Sequence, residues 1–217
     1  MSRISKLMRR ERESIAHALS KVEECPWSFA AGDVERLHEL IQDEWVVDHL
    51  DGDELAVNNY QALCVSSYRV PFIDVDTQAR SPLQRLQTDL GNAGLGGRVY
   101  RTRKGYRIAL SQELKAEKLF GEILPSHRLE QYGIDPTYAL FCRELGNYRA
   151  RCSAKPWRLV RRQYSRLSRY ERWDKYPVIQ FVENFGNAIA TSQHWQTVMS
   201  CHDSTAHCIT NRLHTLY

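Results

Sequence analysis

Two carboxylates, Asp74 and Asp76, close the run Tyr68-Arg-Val-Pro-Phe-Ile-Asp-Val-Asp76. Side chains two apart on a strand share a face, so the pair has the spacing to hold one divalent cation, Mg²⁺ or Mn²⁺. A helix-length later stands Arg98-Val-Tyr-Arg-Thr-Arg-Lys-Gly-Tyr-Arg-Ile108, with five basic side chains in residues 98–107 and no acid. Arg101, Arg103, Lys104 and Arg107 could face the phosphates that such a cation neutralises, and Gly105 could let a ligand approach the backbone closely. An acid pair beside a basic strand points to phosphate chemistry. The same residues also fit a plainer reading, in which Asp76 caps a strand-end turn toward Thr77 and charge guards a hairpin edge against aggregation.

The second basic stretch is denser. Residues 149–175 carry ten Lys or Arg side chains against Glu171 and Asp174. Arg149, Arg151, Lys155, Arg158, Arg161 and Arg162 offer phosphate contacts, Trp157 offers a stacking face, and Pro156 stiffens the turn between them. Single-strand binders combine such a basic track with aromatic platforms. An amphipathic helix that buries Tyr164, Leu167 and Tyr170 and leaves its arginines in water fits the same pattern. Cys201, His202, His207 and Cys208 supply four soft ligands within eight residues, although their spacing matches no compact zinc finger. The sequence has no Gly-rich phosphate loop followed by Lys-Ser/Thr and no serine in a nucleophile elbow.

The elements that must position these groups follow from periodicity and punctuation. Residues 3–24 and 34–43 read as helices, and Asp51-Gly52-Asp53 as a turn. Leu55–Tyr60 or Ala62–Ser66 read as strands around a bend, and Val70–Val75 as the most strand-like run. Ser81-Pro82 signals a helix start, with Leu83, Leu86 and Leu90 as its buried stripe. Arg98–Tyr100 and Tyr106–Leu110 read as two strand pieces around Lys104-Gly105. Helices are expected over Glu113–Leu124 and from Asp135-Pro136 through Leu145, then a strand over Tyr148–Cys152. From Tyr176 onward the chain reads as helical. This order predicts a single α+β domain with a small mixed or antiparallel sheet flanked by helices. Its parts would be a helical N-terminal extension (1–50), a core (55–160) and a helical C-terminal part (161–217).

This series resembles the archaeo-eukaryotic primase superfamily, the primase-polymerase fold, including bacterial members of it. That family carries apolar-Asp-x-Asp on one strand, matched by Phe72-Ile-Asp74-Val-Asp76. Its next signature strand, Ser-x-x-x-Gly-x-His, is similar to Val99–Arg107, with Thr102 for Ser and Arg107 where the nucleotide-contacting His stands. The strand expected to end in a third acid is Tyr148–Cys152, which presents Arg149 and Arg151. The resemblance covers roughly residues 60–160 and implies an RRM-like core. It places Asp74 and Asp76 as metal ligands and Asp74, Asp76 and Arg107 at catalytic positions. Arg101, Thr102, Arg103, Lys104, Lys155 and Arg158 would contact nucleotide phosphates, and Arg149, Arg151, Trp157, Arg161 and Arg162 would hold nucleic acid. The implied activity is metal-dependent nucleotidyl transfer from a nucleoside triphosphate to an external hydroxyl. An arginine stays protonated and neither ligates a cation nor acts as a base, so Arg107 changes what that site can do. The alternative is a non-catalytic nucleic-acid- or nucleotide-binding module of a multi-protein assembly.

Bulk properties bound both readings. The chain has 217 residues, 42% of them hydrophobic, enough for a packed core and against global disorder. Residues 1–60 hold 13 acidic and 7 basic side chains, so the +4 net charge hides an acidic beginning and a basic later segment. The acidic N-terminal region or the helical C-terminal region could meet a protein partner. Six cysteines without framework spacing predict free thiols in a reducing cytoplasm. No run reaches the length of a membrane span.

Overall fold

A computed structural model of the chain describes residues 45–50, 52–57, 62–153, 177–186, 192–210 and 216. Among the described residues, eight strands form two four-stranded sheets in an α+β arrangement. The first sheet is ordered β1 (Trp45–Leu50), β2 (Asp53–Val57), β3 (Leu63–Ser67), β7 (Tyr148–Arg151). The second is ordered β4 (Phe72–Val75), β6 (Tyr106–Leu110), β5 (Gly97–Thr102), β8 (Ile179–Phe185). Every neighbouring pair in both sheets is antiparallel. β4 and β5 therefore run parallel to each other with β6 inserted between them, and α1 (Arg80–Asn92) makes the crossover.

The crossover helix forms for the reason its sequence gives. Leu83, Leu86 and Leu90 recur at three and four residues, which puts them on one face, and all three are buried. The helix begins two residues earlier than Ser81-Pro82 predicts, with Ala79 in extended backbone before it. α2 (Pro136–Leu145) starts as read: Asp135 caps it by accepting from the Thr137 backbone N–H at 2.8 Å, Pro136 occupies the first turn, and Gly146 ends it in the left-handed region (φ 70°).

All five residues of β6 are buried, because both faces of the second sheet are covered. On one face Arg80 of α1 lies over the Tyr106 ring. On the other, α3 (Gln193–Thr205) seats Trp195, Val198, Met199 and His202. The Trp195 indole Nε1 donates to the Leu110 carbonyl at 2.7 Å. One apolar cluster runs from Val65 of the first sheet through Phe72 and Ile108 to Trp195.

Three expectations are corrected. The tail is not helical throughout, since Ile179–Phe185 is a strand laddered on β5, and among the described residues its helix spans Gln193–Thr205. Glu113–Leu124 is not one regular helix. It holds a π-helical stretch, Lys118–Ile123, that turns Leu119 and Phe120 inward. Residues 45–50, assigned to a helical extension, form the edge strand β1, so the sheets draw on more of the chain than 55–160. The helices read over 3–24 and 34–43 lie outside the described residues.

Gly105 is needed, but for the chain's own packing. A Cβ there would sit 1.9 Å from the Val75 carbonyl oxygen and 2.8 Å from the Thr77 nitrogen, both backbone atoms. The hairpin tip is pressed onto the end of β4, and the close approach predicted for a ligand is made by this segment. Gly105→Ala must lift the tip away, at a cost of about 2 kcal/mol or more. Thermal unfolding should show a fall of roughly 4–8 °C; an unchanged midpoint would mean that the tip is not seated there.

Candidate functional site

β4 and β6 pair so that Asp74 stands directly opposite Arg107. Side chains opposite one another in a ladder share a face, and these two meet in a bidentate ion pair. Arg107 Nε donates to Asp74 Oδ1 at 2.7 Å, and Nη2 donates to Oδ2 at 3.1 Å. The remaining Nη1 donates to the Arg151 carbonyl of β7 at 2.6 Å and reaches His202 Nε2 of α3 at 3.5 Å. Arg107 is 2% exposed. Burial alone would lower its pKa, but the charge and hydrogen bonds of Asp74 more than offset this, so the guanidinium stays protonated. The predicted phosphate-facing arginine is thus a buried cation whose donors point inward.

The pair continues into a polar chain that runs from the buried His202 to the half-buried Asp203 and Arg98. His202 Nδ1 lies 2.9 Å from Asp203 Oδ1. Asp203 Oδ2 accepts from Arg98 Nη1 and from the Tyr100 hydroxyl, each at 3.2 Å. Arg98 is stacked over Trp195, 4.9 Å from the ring centroid. Arg98 and Arg107 are therefore both spent on carboxylates inside the fold. Neither His202 nor Asp203 was legible as a partner of the basic strand, because α3 lies almost a hundred residues further along.

Asp76 lies just beyond β4 and is exposed. Its backbone N–H donates to the Gly133 carbonyl at 2.7 Å, next to an antiparallel bridge between Val75 and Ile134. Asp135, the N-cap of α2, is near enough to act electrostatically on Asp76, while β7 offers arginines in place of an acid. Partial desolvation raises the Asp76 pKa, Asp74 and Asp135 raise it further, and Lys104 and Arg151 oppose them. Perturbed carboxylates of this kind cluster at functional sites. Among the described residues, however, no group of three or more His, Cys, Asp or Glu side chains is placed to hold a metal ion.

Thr102 is absorbed by the hairpin turn: its hydroxyl accepts from the Gly105 N–H at 3.1 Å. Arg101 and Lys104 are exposed and Arg103 is half-buried, and among the described residues none of the three has a carboxylate within ion-pair distance. On β7, Tyr148 and Ala150 are buried while Arg149 and Arg151 are half-buried on the alternate face. Tyr138 of α2 ties β7 toward β4: its hydroxyl lies 2.6 Å from the Phe72 carbonyl, to which it donates, and 3.5 Å from the Arg149 carbonyl. Lys155, Trp157, Arg158, Arg161 and Arg162 lie outside the described residues.

Within the tail, His202 points into the core and the Cys201 sulfur lies 3.8 Å from the Thr205 hydroxyl. Cys64, Cys142, Cys152, Cys201 and Cys208 are in no disulfide, and burial pushes Cys142 up to about 12 and Cys208 up to about 11. Such thiols are poor nucleophiles. No helix among the described residues is long and apolar enough to cross a membrane. Comparison with protein-family models, with curated proteins and with solved structures finds no match to this chain.

Proposed function

We propose that the protein is a non-catalytic module, built on a primase-polymerase-like core, that binds the phosphates of single-stranded nucleic acid. The observation that carries this reading is how the basic hairpin is divided. Arg98 and Arg107 are committed to Asp203 and Asp74, while Arg101, Arg103 and Lys104 at the hairpin end have no such carboxylate partner. Cations left at the hairpin end, where Lys104 and the β7 arginine Arg151 both act on Asp76, suit a polyanion better than they suit structure. The core reading is supported by the split β-α-β of β4, α1 and β5 with β6 between, which is the topology of an RRM-like half. It departs from that unit at β7, which ladders with β3.

A second reading is favoured by one observation, the raised pKa of Asp76, to which partial burial contributes most and the repulsion of Asp74 next. A divalent cation on Asp74 and Asp76 would relieve it and would restore a nucleotidyl-transfer site. Because Asp74 is also the counter-ion of a buried arginine, Asp76→Asn is the cleaner probe of that reading.

One titration tests both. Labelled single-stranded DNA and RNA are bound by the full chain and by Arg101→Gln/Arg103→Gln/Lys104→Gln, across a salt series, in EDTA and in Mn²⁺. The module reading expects metal-independent binding whose slope of log K against log salt falls by about 2 in the variant, roughly 0.7 per lost phosphate contact. An unchanged slope would sink it. Mn²⁺-dependent nucleotide binding that disappears in Asp76→Asn would put the cation site in its place.

A further inference from the structure

Arginine presents donors alone, so the contact between Arg107 Nη1 and His202 Nε2 can be a hydrogen bond in one state, with Nε2 bare. The imidazole must then carry its proton on Nδ1, where Asp203 Oδ1 lies 2.9 Å away to accept it. Both nitrogens are satisfied by a neutral ring of fixed tautomer. The ring is wholly buried, with the Phe72 face 5.0 Å below it and the Tyr100 ring meeting it edge-on at 5.3 Å. With Asp203, which holds Arg98 and Tyr100 of β5, it ties the last turns of α3 to the second sheet by polar contacts.

We infer that His202 is a pH-sensitive latch: neutral, it accepts from Arg107 and pins α3 to the sheet; protonated, it loses that bond and the helix loosens. The step is a proton taken from water onto Nε2. It leaves an imidazolium nitrogen 3.5 Å from a guanidinium nitrogen that cannot give up its own charge. The groups that face His202 are Arg107 from β6, Asp74 from β4, the Tyr100 ring from β5 and Asp203 from its own helix. Asp203 and Asp74 favour the charged ring, while burial and Arg107 oppose it. Burial is the largest of these influences, and the balance places the folded pKa below the ordinary 6.5. As pH falls below 6.5 the opened state takes the proton before the closed one does, so protection of α3 declines in acid. Because α3 covers the face that holds the Asp74–Arg107 pair, its loosening would open that pair to water.

Hydrogen exchange of the full chain, corrected for the intrinsic pH dependence of exchange, reads the latch directly. Peptides over Gln193–Thr205 should lose protection below pH 6.5 by up to about tenfold per pH unit, the limit for one proton, while peptides over Arg80–Asn92 hold theirs. In His202→Gln, whose amide oxygen can still accept from Arg107 but cannot titrate, the α3 loss should vanish. Protection of α3 that is independent of pH in the wild type, or an equal loss in the Gln variant, would overturn the inference. Should that variant not fold, imidazole ¹⁵N shifts of the wild type decide the matter. A neutral Nδ1–H ring at pH 7 is the expected result, and an Nε2–H or charged ring refutes the latch.

Discussion

Replacing Asp74 with Ala is expected to cost about 3–5 kcal/mol of folding stability, and Arg107→Met about as much, because each change strands the other group. Asp74→Ala leaves a fully buried guanidinium with Nε and Nη2 unpaired. Arg107→Met removes the donor to the Arg151 carbonyl and to His202 Nε2, and leaves a carboxylate whose side chain is only 35% exposed. The double change Asp74→Ala/Arg107→Met removes both charges together. It should therefore cost no more than the worse single change, which makes the coupling in the cycle at least as large as the smaller single loss, about 3 kcal/mol or more. Urea denaturation of the four proteins measures this. Strictly additive losses would mean that the pair is not the buried contact described, and Asp74 would return as a free ligand.

That result also bears on the chemistry. A loss of nucleotide or metal binding on mutating Asp74 would follow from damage to the fold as readily as from loss of a ligand. The acid pair read from spacing thus resolves into two residues of different character. Asp74 is built into the sheet through Arg107, while Asp76 is exposed, perturbed and without a structural duty for its side chain in any described hydrogen bond or ion pair.

The elements specified by local signals were legible in the sequence. The Leu83–Leu86–Leu90 stripe, the Asp135-Pro136 start, the Gly146 stop and the turn at Lys104-Gly105 are each decided by residues within one or two turns of one another. β8 was not legible, since Ile179–Phe185 has no clean alternation and holds its place by laddering on β5, some eighty residues earlier. The same distance hid the site's real composition. Spacing shows Asp74 and Asp76 as a pair, but the register that sets Asp74 against Arg107, the bridge that brings in Asp135 and the helix that brings in His202 are long-range facts. One sign was available. An arginine standing where a nucleotide-contacting histidine is expected, on the strand beside an Asp-x-Asp, can pair with that acid.

Trp195→Ala should be as costly as breaking the ion pair, about 3–5 kcal/mol, since it empties a site where a whole indole is 2% exposed. The argument rests on where α3 stands. At its start, His194 Nε2 lies 3.1 Å from Asp53 Oδ2, a buried carboxylate of β2 that also accepts from the Ser67 hydroxyl and the Tyr68 N–H. One residue on, Trp195 bonds to Leu110 and lies beneath Arg98, both in the second sheet. The helix therefore joins the two sheets, and removing the indole weakens the joint and the latch turn beyond it. Trp195→Phe keeps most of the apolar volume and loses the Nε1–H bond to Leu110, so it should cost about 1–2 kcal/mol. At a temperature where both variants stay folded, the salt dependence of nucleic-acid binding should match the wild type, because Arg101, Arg103 and Lys104 sit at the hairpin end and touch none of these groups. A stability loss with an unchanged salt slope would separate the scaffold from the binding surface. A slope that fell with Trp195→Phe would instead move the polyanion contacts from the hairpin to the face that α3 covers.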